Sequence, residues 1–393
     1  MIPPVSRSSK SSPIRILHTS DWHLGRLLHG HSLLEDQAHA LEQLLSLVDR
    51  LKPDCLVIAG DIFDRPTPPE GAVRLFDEFL AKTVLERGLK ILLIPGNHDS
   101  AERVGFASRL LRERGLTIFS KPEDALKPVT VANTDTSVLI YGIPFVEPRL
   151  IGEFLKTDVR SPDAAVRALC NSIRETGFGD KPAVLISHAF VVGAETSESE
   201  RDLYVGGSSH VGADAFEGFA YTALGHLHRS QQAGGERIRY SGSLLHYSKS
   251  EIGLEKSITE VRIWSDSKIE IELHPLKPLR ALRYIENTLN EVIKLGREDT
   301  QREDYIIVGL TDSGPVIDAA SQLRLIYPNL LQVSRVGGFL PGELPALERI
   351  KEQKLVSELD LFAEFVMDTT GEPMSAPELA AISEIIRGLE VDA

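Results

Sequence analysis

Five short apolar runs, each closed by acidic, amide or imidazole side chains, most constrain how this chain can fold. The runs are rich in Ile, Val and Leu, as buried strands are, and cover residues 14–18, 54–59, 90–95, 183–187 and 221–224. Residues 32–51 and 69–87, which lie between the first three runs, carry apolar side chains at helical spacing beside charged faces. This alternation predicts an α/β fold. Residues 129–141 and 257–274 favour antiparallel strand pairs, so we expect layered sheets covered by helices.

The chain is too long for one average domain, and its composition divides it into four parts. Residues 1–13 are rich in Ser and Pro and predict a disordered tail, and residues 14–277 contain the five apolar runs. Residues 278–340 carry a small α+β pattern that we expect to form a cap domain. Its predicted strands are 282–286, 305–310 and 330–333, and its predicted helices are 288–295 and 316–326.

The last part, residues 341–393, is predicted to form a linker followed by a helical hairpin. Apolar side chains recur at helical spacing in residues 358–368 and 376–387. Two helices of this size are too small to fold alone, so the hairpin is expected to dock on a helical surface of a partner. The alternative is that it folds back on residues 14–277 of its own chain.

The side chains that follow the apolar runs are those that metal sites use. In chain order they are Asp21, His23, Asp61, Asn97, His98, His188, His226 and His228. Strand ends that feed loops are where an α/β fold gathers a site, so these residues are expected to converge although the first and last lie far apart in sequence.

The residue types predict two divalent metals held by Asp21, His23, Asp61, Asn97, His188, His226 and His228. A mixed set of oxygen and nitrogen donors favours Mn, Fe or Zn over Ca or Mg. Seven ligands are too many for one first-row ion but serve two if one carboxylate bridges them. Neighbouring residues on an extended loop point in opposite directions, so Asn97 can face a metal while His98 faces a phosphate as the catalytic histidine. Asp99 either orients His98 or caps the following helix.

Each motif alone also has an ordinary structural explanation. A lone Asp-x-His means little, Gly-Asp is common in turns and helix caps, and Gly-His-x-His fits a turn before an exposed strand. Their occurrence together, in order, after apolar runs favours the metal site. Of the remaining histidines, His18 is expected to be a satisfied core residue, whereas His29 and His31 lie in a polar loop from which substrate is within reach.

These motifs resemble those of the calcineurin-like metallophosphoesterase superfamily. The runs ILHTSDWHLG (16–25), GDIFD (60–64), ALGHLH (223–228) and YSGS (240–243) are similar to those of the family of nuclease D subunits from bacterial SbcCD complexes. The resemblance implies one metal held by Asp21, His23, Asp61 and His228, a second held by Asp61, Asn97, His188 and His226, and His98 as the catalytic histidine. It also implies manganese, a homodimer within a heterotetramer, a coiled-coil ATPase partner of the SbcC type, and a cap that contacts DNA. The apolar stripes of the hairpin, beside acidic faces that would repel DNA, predict that this partner docks there.

The sequence departs from this family at one position near the site. Archaeal relatives carry a second catalytic histidine where this chain has Asp64, so a role for that position in steering exonuclease activity is open. Residues 120–182 contain only family-like fragments and are assigned no site.

The net charge of −14 argues at first against a nucleic-acid partner, but the charge is uneven. Residues 341–393 contain twelve acidic and four basic residues, so more than half of the acidic excess lies in a terminal segment that need not touch substrate. No apolar run is long enough to span a bilayer, and Cys55 and Cys170 cannot form a disulfide framework. A cytoplasmic, nucleoid-associated location is the expectation.

The sequence and the resemblance together predict a metal-dependent DNA nuclease subunit. It would act as a double-strand exonuclease and a single-strand or hairpin endonuclease on DNA ends, in repair and recombination. The first alternative is a stand-alone phosphodiesterase or phosphatase of the same superfamily. The second is a non-catalytic scaffold for DNA ends, which a missing ligand or a replaced His98 would have indicated.

Overall fold

The computed structural model describes residues 11–145, 147–200, 210–312 and 316–336, together with 375, 378–379 and 381–383. The predicted tail therefore lies almost entirely outside the described residues, and so does most of the predicted hairpin. The chain divides into two compact units, one of residues 1–309 and 318–333 and the other of residues 310–317 and 334–393. Within the second unit, the Val336 amide donates to the Leu310 carbonyl (2.8 Å) and the Arg335 guanidinium donates to the Asp312 carbonyl (2.7 Å).

The strands of the described residues form five sheets. In chain order they are β1 Ile14–Thr19, β2 Leu27–Leu28, β3 His31–Ser32, β4 Cys55–Ala59, β5 Lys90–Ile94, β6 Leu116–Ile118, β7 Val129–Ala132, β8 Ser137–Ile143, β9 Ala183–His188, β10 Phe190–Val191, β11 His210–Val211, β12 Tyr221–Gly225, β13 Gln231–Gln232, β14 Ile238–Tyr240, β15 Ser257–Ile263, β16 Ile269–Pro275, β17 Leu282–Asn287, β18 Tyr305–Leu310 and β19 Leu330–Arg335. The helices are α1 Leu34–Leu51, α2 Glu70–Leu80, α3 Ala101–Val104, α4 Ser108–Arg112, α5 Pro148–Leu155, α6 Pro162–Thr176, α7 Leu289–Glu298 and α8 Ala319–Arg324.

Two six-stranded sheets contain all five of the predicted apolar runs. The first has the order β16-β15-β1-β4-β5-β6, in which β1, β4, β5 and β6 are parallel and β15 and β16 are antiparallel. The second has the order β13-β14-β12-β9-β8-β7, with β14, β12, β9 and β8 parallel and an antiparallel strand at each edge. The antiparallel pairs predicted in residues 129–141 and 257–274 are confirmed as β7–β8 and β15–β16.

Alternating side chains bury both faces of each sheet. In β4, Val57 points towards the second sheet, while Leu56 and Ile58 pack on the helix side. In β9, Val184 and Ile186 face the first sheet, and Leu185 packs on the opposite side. Strands buried on both faces read as continuous apolar runs, which is the pattern in the sequence.

Helices cover the outer face of each sheet and complete a four-layer α/β architecture, as the sequence predicted. Helix α1 buries Leu41, Leu44 and Val48 against the first sheet, and it has acidic residues in its first turn and Arg50 in its last, which suits the helix dipole. Helix α6 buries Leu169, Cys170 and Ile173 against the second sheet and begins at Ser161, whose side chain accepts from the Ala164 amide. None of the helices in the described ranges is long and apolar enough to cross a membrane.

The small α+β pattern after residue 278 forms a three-stranded sheet of order β17-β18-β19 with helices α7 and α8. The predicted helix 316–326 is shorter in the structure, because Asp318 adopts a left-handed conformation (φ 53°) and the helix begins only at Ala319. Tyr305 in β18 donates its hydroxyl to Asp36 of α1 (2.8 Å), and Arg280 pairs with the same carboxylate (2.9 Å). The domain boundaries at 277 and 340 stay a prediction.

Candidate metal centre

The structure brings all eight predicted site residues to one edge of the two sheets. Asp21 and His23 follow β1, Asp61 follows β4, and Asn97 and His98 follow β5 of the first sheet. His188 ends β9, and His226 and His228 follow β12 of the second sheet. Because these five strands are parallel within their sheets, their carboxyl ends lie at the same edge.

Four of these residues hold a left-handed backbone that non-glycine residues rarely adopt. The φ angles are 54° at Asp21, 45° at His23, 51° at Asp61 and 109° at His226. Hydrogen bonds between the loops hold this geometry, since the Asp21 amide donates to the Gly60 carbonyl and the His23 amide to the Asp61 carbonyl, both at 3.0 Å. Such strain persists where the surroundings over-determine the backbone, and it concentrates at functional sites.

One half of the centre is formed by Asp21, His23 and His228 beside Asp61. The Nε2 atoms of His23 and His228 lie 3.0 Å apart, and His23 Nε2 is 3.6 Å from Asp61 Oδ2. A hydrogen bond between two imidazole nitrogens needs one donor and one acceptor, so at least one of these nitrogens presents a lone pair. Asp21 is oriented by the His226 amide, which donates to both of its oxygens, and by the Ser20 hydroxyl.

The other half is formed by Asn97, His188 and His226. Asn97 Oδ1 lies 2.9 Å from His188 Nε2 and 3.3 Å from His226 Nδ1. His188 Nδ1 lies 2.9 Å from the Ala59 carbonyl, which can only accept, so Nδ1 carries the proton and Nε2 a lone pair. Two acceptors, His188 Nε2 and the Asn97 oxygen, therefore face each other, an arrangement that suits a shared cation.

Asp61 lies between the two halves. Its Oδ2 atom is 3.6 Å from His23 Nε2 in one half and 3.6 Å from His188 Nε2 in the other. Its Oδ1 atom accepts from the His98 amide at 2.9 Å, which fixes the orientation of the carboxylate. One side chain thus reaches both sets of ligands, as a bridging carboxylate would.

The protonation states of the centre fit divalent metals. Burial and the neighbouring charge of Asp61 raise the pKa of Asp21 well above its usual value. Burial lowers the pKa of His23 and His226 well below the usual value and that of His188 to about 4. The neutral imidazoles offer lone pairs to a cation, and the crowded carboxylates offer negative charge. In addition, His23 Nδ1 is buried without a hydrogen-bond partner in the described residues. Three overlapping Asp/His groups of metal-binding size lie here: Asp21, His23 and His228; His23, Asp61 and His98; Asp21, Asp61 and His188.

His98 and Asn97 contact different partners, although residues 97–99 form a bend and not the expected extended loop. Its ring stands edge-on to that of His23, with centroids 4.6 Å apart, and its Nδ1 lies 2.9 Å from the Asp64 carbonyl. Asp64 therefore orients His98 through its backbone, and its carboxylate lies 3.4 Å from the Arg26 guanidinium and 3.6 Å from His23 Nδ1.

Asp99 takes neither of the two roles considered for it. Its carboxylate accepts from the amides of Ile62 (3.1 Å), Phe63 (2.9 Å) and Gly96 (2.9 Å), while Ser100 caps helix α3. Burial and the nearby Asp61 raise its pKa to about 7. Asp99 joins the loop after β4 to the loop after β5, and so positions Asp61 and Asn97 relative to each other.

Gln37 is a positioning residue that the motifs did not reveal. It is fully buried in α1, where its amide nitrogen donates to the carbonyls of His23 (2.8 Å) and Trp22 (3.1 Å) and its oxygen accepts from the Gly25 amide (3.0 Å). The only signal in the sequence is a polar residue within an apolar helical stripe. Such a residue needs buried partners, and the loop carrying His23 supplies them.

The remaining candidate histidines lie outside the centre. His18 is a buried core residue as predicted, 2.9 Å from the Tyr221 hydroxyl and 3.1 Å from the Leu224 carbonyl. His29 and His31 lie at the β2–β3 hairpin, and the His31 ring stands edge-on to Tyr305. A further group of Glu260, Glu272 and His274 is neutralised by Arg15 and Arg262 and forms an ion-pair network.

The chain is similar to known proteins over most of its length. The profile of the calcineurin-like phosphoesterase family matches residues 14–229, and that of the type 5 capsule protein repressor C-terminal domain matches residues 277–370. The chain is 33% identical to the D subunit of nuclease SbcCD from Staphylococcus saprophyticus, over 96% of this chain and 98% of that protein. It is 32% identical to the D subunit of nuclease SbcCD from Staphylococcus epidermidis, over 82% of this chain and 86% of that protein. A dimetal phosphatase from Danio rerio aligns over 67% of this chain and 98% of that chain, with 11% identity and a TM-score of 0.42.

Proposed function

Because the chain belongs to the calcineurin-like phosphoesterase family, and within it to the D subunits of SbcCD nucleases, we propose that it is a metal-dependent nuclease that hydrolyses DNA phosphodiesters. The observation that carries the proposal is the convergence of Asp21, His23, Asp61, Asn97, His188, His226 and His228, with His98, at one sheet edge. The finer activities that we propose are double-strand exonuclease and single-strand or hairpin endonuclease activity.

The proposed metal centre contains two ions, with manganese as the working choice. Asp21, His23 and His228 would hold one ion, Asn97, His188 and His226 the other, and Asp61 would bridge them. Two bound ions supply a nucleophilic water and neutralise charge on the phosphate oxygens. Mixed oxygen and nitrogen ligands suit manganese, iron or zinc better than calcium.

His98 is the proposed catalytic residue. Its Nδ1 is occupied by the Asp64 carbonyl at 2.9 Å, so Nε2 is the ring nitrogen that would meet a substrate. A protonated ring could donate the Nε2 proton to the leaving oxygen without losing the hydrogen bond that orients it. Because the side chain is 4% exposed, it would act on a phosphate drawn into the centre and not on one at the surface.

The first rival is a stand-alone phosphodiesterase or phosphatase, because the centre could serve small phosphate esters as well as DNA. Similarity to the SbcCD relatives over nearly the whole chain favours the nuclease, since it extends beyond the region that carries the metal centre. The second rival, a non-catalytic DNA-end scaffold, is disfavoured because no ligand position is replaced by an inert side chain.

The test is a cleavage assay on end-labelled duplex and hairpin DNA, with manganese or with a chelator, alongside bis(p-nitrophenyl) phosphate. Manganese-dependent shortening of the DNA is the expected result, and Asp61→Asn is the inactive control. Hydrolysis of the small ester without DNA cleavage would establish the first rival. DNA binding without hydrolysis of either substrate would establish the second.

Assembly is also part of the proposal. The relatives are named as one component of an SbcCD complex, and we propose that this chain likewise acts with an SbcC-like coiled-coil ATPase, as a homodimer within a heterotetramer. Processing of DNA ends in repair and recombination, in the cytoplasm at the nucleoid, follows from that assignment. The hairpin at residues 358–387, proposed to dock on the ATPase, lies almost wholly outside the described residues.

A further inference from the structure

A buried chain of polar side chains leads away from the metal centre behind His228. His228 Nδ1 lies 2.6 Å from the Ser199 hydroxyl, which donates to Glu251 Oε1 at 2.5 Å. Glu251 Oε2 accepts from the Lys256 ammonium at 2.6 Å. Each of the four side chains is at least nine-tenths buried, with Glu251 completely inaccessible.

Hydrogen-bond chemistry fixes the direction of this chain. Glu251 pairs with the Lys256 ammonium and, as a carboxylate, can only accept, so the single Ser199 proton points to it. The Ser199 oxygen must then accept from His228, which places the imidazole proton on Nδ1. The Ser197 hydroxyl, 2.9 Å away, then donates to the second lone pair of the Ser199 oxygen, so every donor and acceptor position of the Ser199 hydroxyl is used.

The consequence appears on the other side of the ring. With its proton on Nδ1, His228 has a lone pair on Nε2, the atom that lies 3.0 Å from His23 Nε2 inside the centre. A metal-ligating histidine usually has its second nitrogen held in this way, most often by a carboxylate or carbonyl. Here a serine hydroxyl lies between the carboxylate and the ring, because Glu251 Oε1 is 3.6 Å from Nδ1, beyond hydrogen-bonding distance.

The same residues also fix the backbone of His228. Lys256 donates to its carbonyl at 2.8 Å, and Glu200, the neighbour of Ser199, accepts from its amide at 2.7 Å. Removing an ammonium and a carboxylate from water is unfavourable, and a well-packed apolar pair of similar size is often as stable. The arrangement is better explained by its effect on His228 than by a contribution to stability.

We infer that Ser199, backed by the Glu251–Lys256 pair, is a positioning residue that sets the tautomer of His228 for metal binding. The inference rests on the proposed role of His228 as a metal ligand. It assigns to residues 197–200 a part in building the site, although none of the recognised motifs lies in those residues.

The test compares the full-length wild type with Ser199→Ala, which removes the hydroxyl, and Ser199→Thr, which restores it. Ser257→Ala is the matched control, because Ser257 is equally buried, adjoins Lys256, and has a hydroxyl without a partner in the described residues. Histidine ¹⁵N chemical shifts of the metal-free proteins report the tautomer of His228, assigned with a His228→Gln variant. Calorimetric titration with Mn²⁺ reports affinity.

Ser199→Ala should lose the Nδ1–H tautomer and bind Mn²⁺ about 10- to 100-fold more weakly at one site. Ser199→Thr and Ser257→Ala should match the wild type in both measurements. A folded Ser199→Ala protein with an unchanged tautomer and unchanged affinity would overturn the inference. A wild type that binds no metal would instead defeat the proposed function, while the chemical shifts would still decide the role of Ser199.

Discussion

Replacing Gly225 with alanine tests whether close approach of the two sheets builds the metal centre. Gly225 ends β12 of the second sheet, and a Cβ atom added there would lie 1.9 Å from the carbonyl oxygen of Ala59, which ends β4 of the first. Real Cβ atoms are almost never closer than 3.0 Å, so the strand ends would have to separate by roughly 1 Å. The φ angle of Gly225 is not positive, so the backbone itself tolerates alanine.

The separation would act on the half of the centre that contains His188 and His226. The Ala59 carbonyl also receives His188 Nδ1, and the added methyl group would lie 2.9 Å from that nitrogen. Moving His188 and His226 by this distance from Asp61 should lower the rate of phosphodiester cleavage by about 100-fold or more. Overpacking should also lower the free energy of unfolding by about 1–3 kcal/mol.

The assay measures manganese-dependent hydrolysis of bis(p-nitrophenyl) phosphate and of duplex DNA, with thermal unfolding followed by circular dichroism. Gly235→Ala is the matched control, because a Cβ there meets no atom within 4 Å, and it should behave as the wild type. A folded Gly225→Ala protein that keeps its metals and its rate to within about twofold would refute the argument.

Three further predictions concern the proposed roles. Asp61→Ala should lower bound manganese well below two ions per chain in elemental analysis and abolish cleavage, since both halves lose a ligand; two ions in the folded variant would contradict bridging. His98→Ala should keep its metals and its DNA binding but lose ~10² to 10⁴ in single-turnover rate; near-normal cutting or missing metal would remove His98 as the catalytic residue. A chain ending before residue 358 should still fold and cut DNA in manganese but fail to co-purify with the coiled-coil ATPase; unchanged co-purification, or outright unfolding, would exclude the hairpin as the docking element.

The fold could be predicted where one physical signal dominates. The run at 183–187 was found as β9 Ala183–His188, and the run at 90–95 as β5 Lys90–Ile94, because strands buried on both faces leave uninterrupted apolar runs. The apolar pattern predicted the wrong bounds for a helix where the conformation of a single residue sets the point at which the helix begins. The left-handed conformation of Asp318 shortens α8, and the local apolar pattern does not indicate that conformation.

In the candidate site, the sequence predicted the proposed metal ligands and His98 but not the residues that position them. His188 and His226 stand out because each ends an apolar run, whereas Gln37, Ser199 and Glu251 are ordinary polar residues in the sequence. Their importance comes from burial and from partners far along the chain, such as Glu251, which is separated from Ser199 by 52 positions. Asp99 was found as part of a motif, but its role was not, because that role depends on amides in a different loop.

Four residues of the centre, Asp21, His23, Asp61 and His226, have left-handed backbones that only a large surrounding structure can stabilise. Each such residue is disfavoured by about 1–3 kcal/mol and persists only where its surroundings leave no alternative. The two sheets supply that constraint, because the loops begin at strand ends fixed by a continuous buried core and then bond to one another, as Asp21 does to Gly60. Asp99 and Gln37 add bonds at the points where those loops would otherwise relax. The ligand geometry therefore depends on the buried core and on the bonds between loops, and not on the motifs alone.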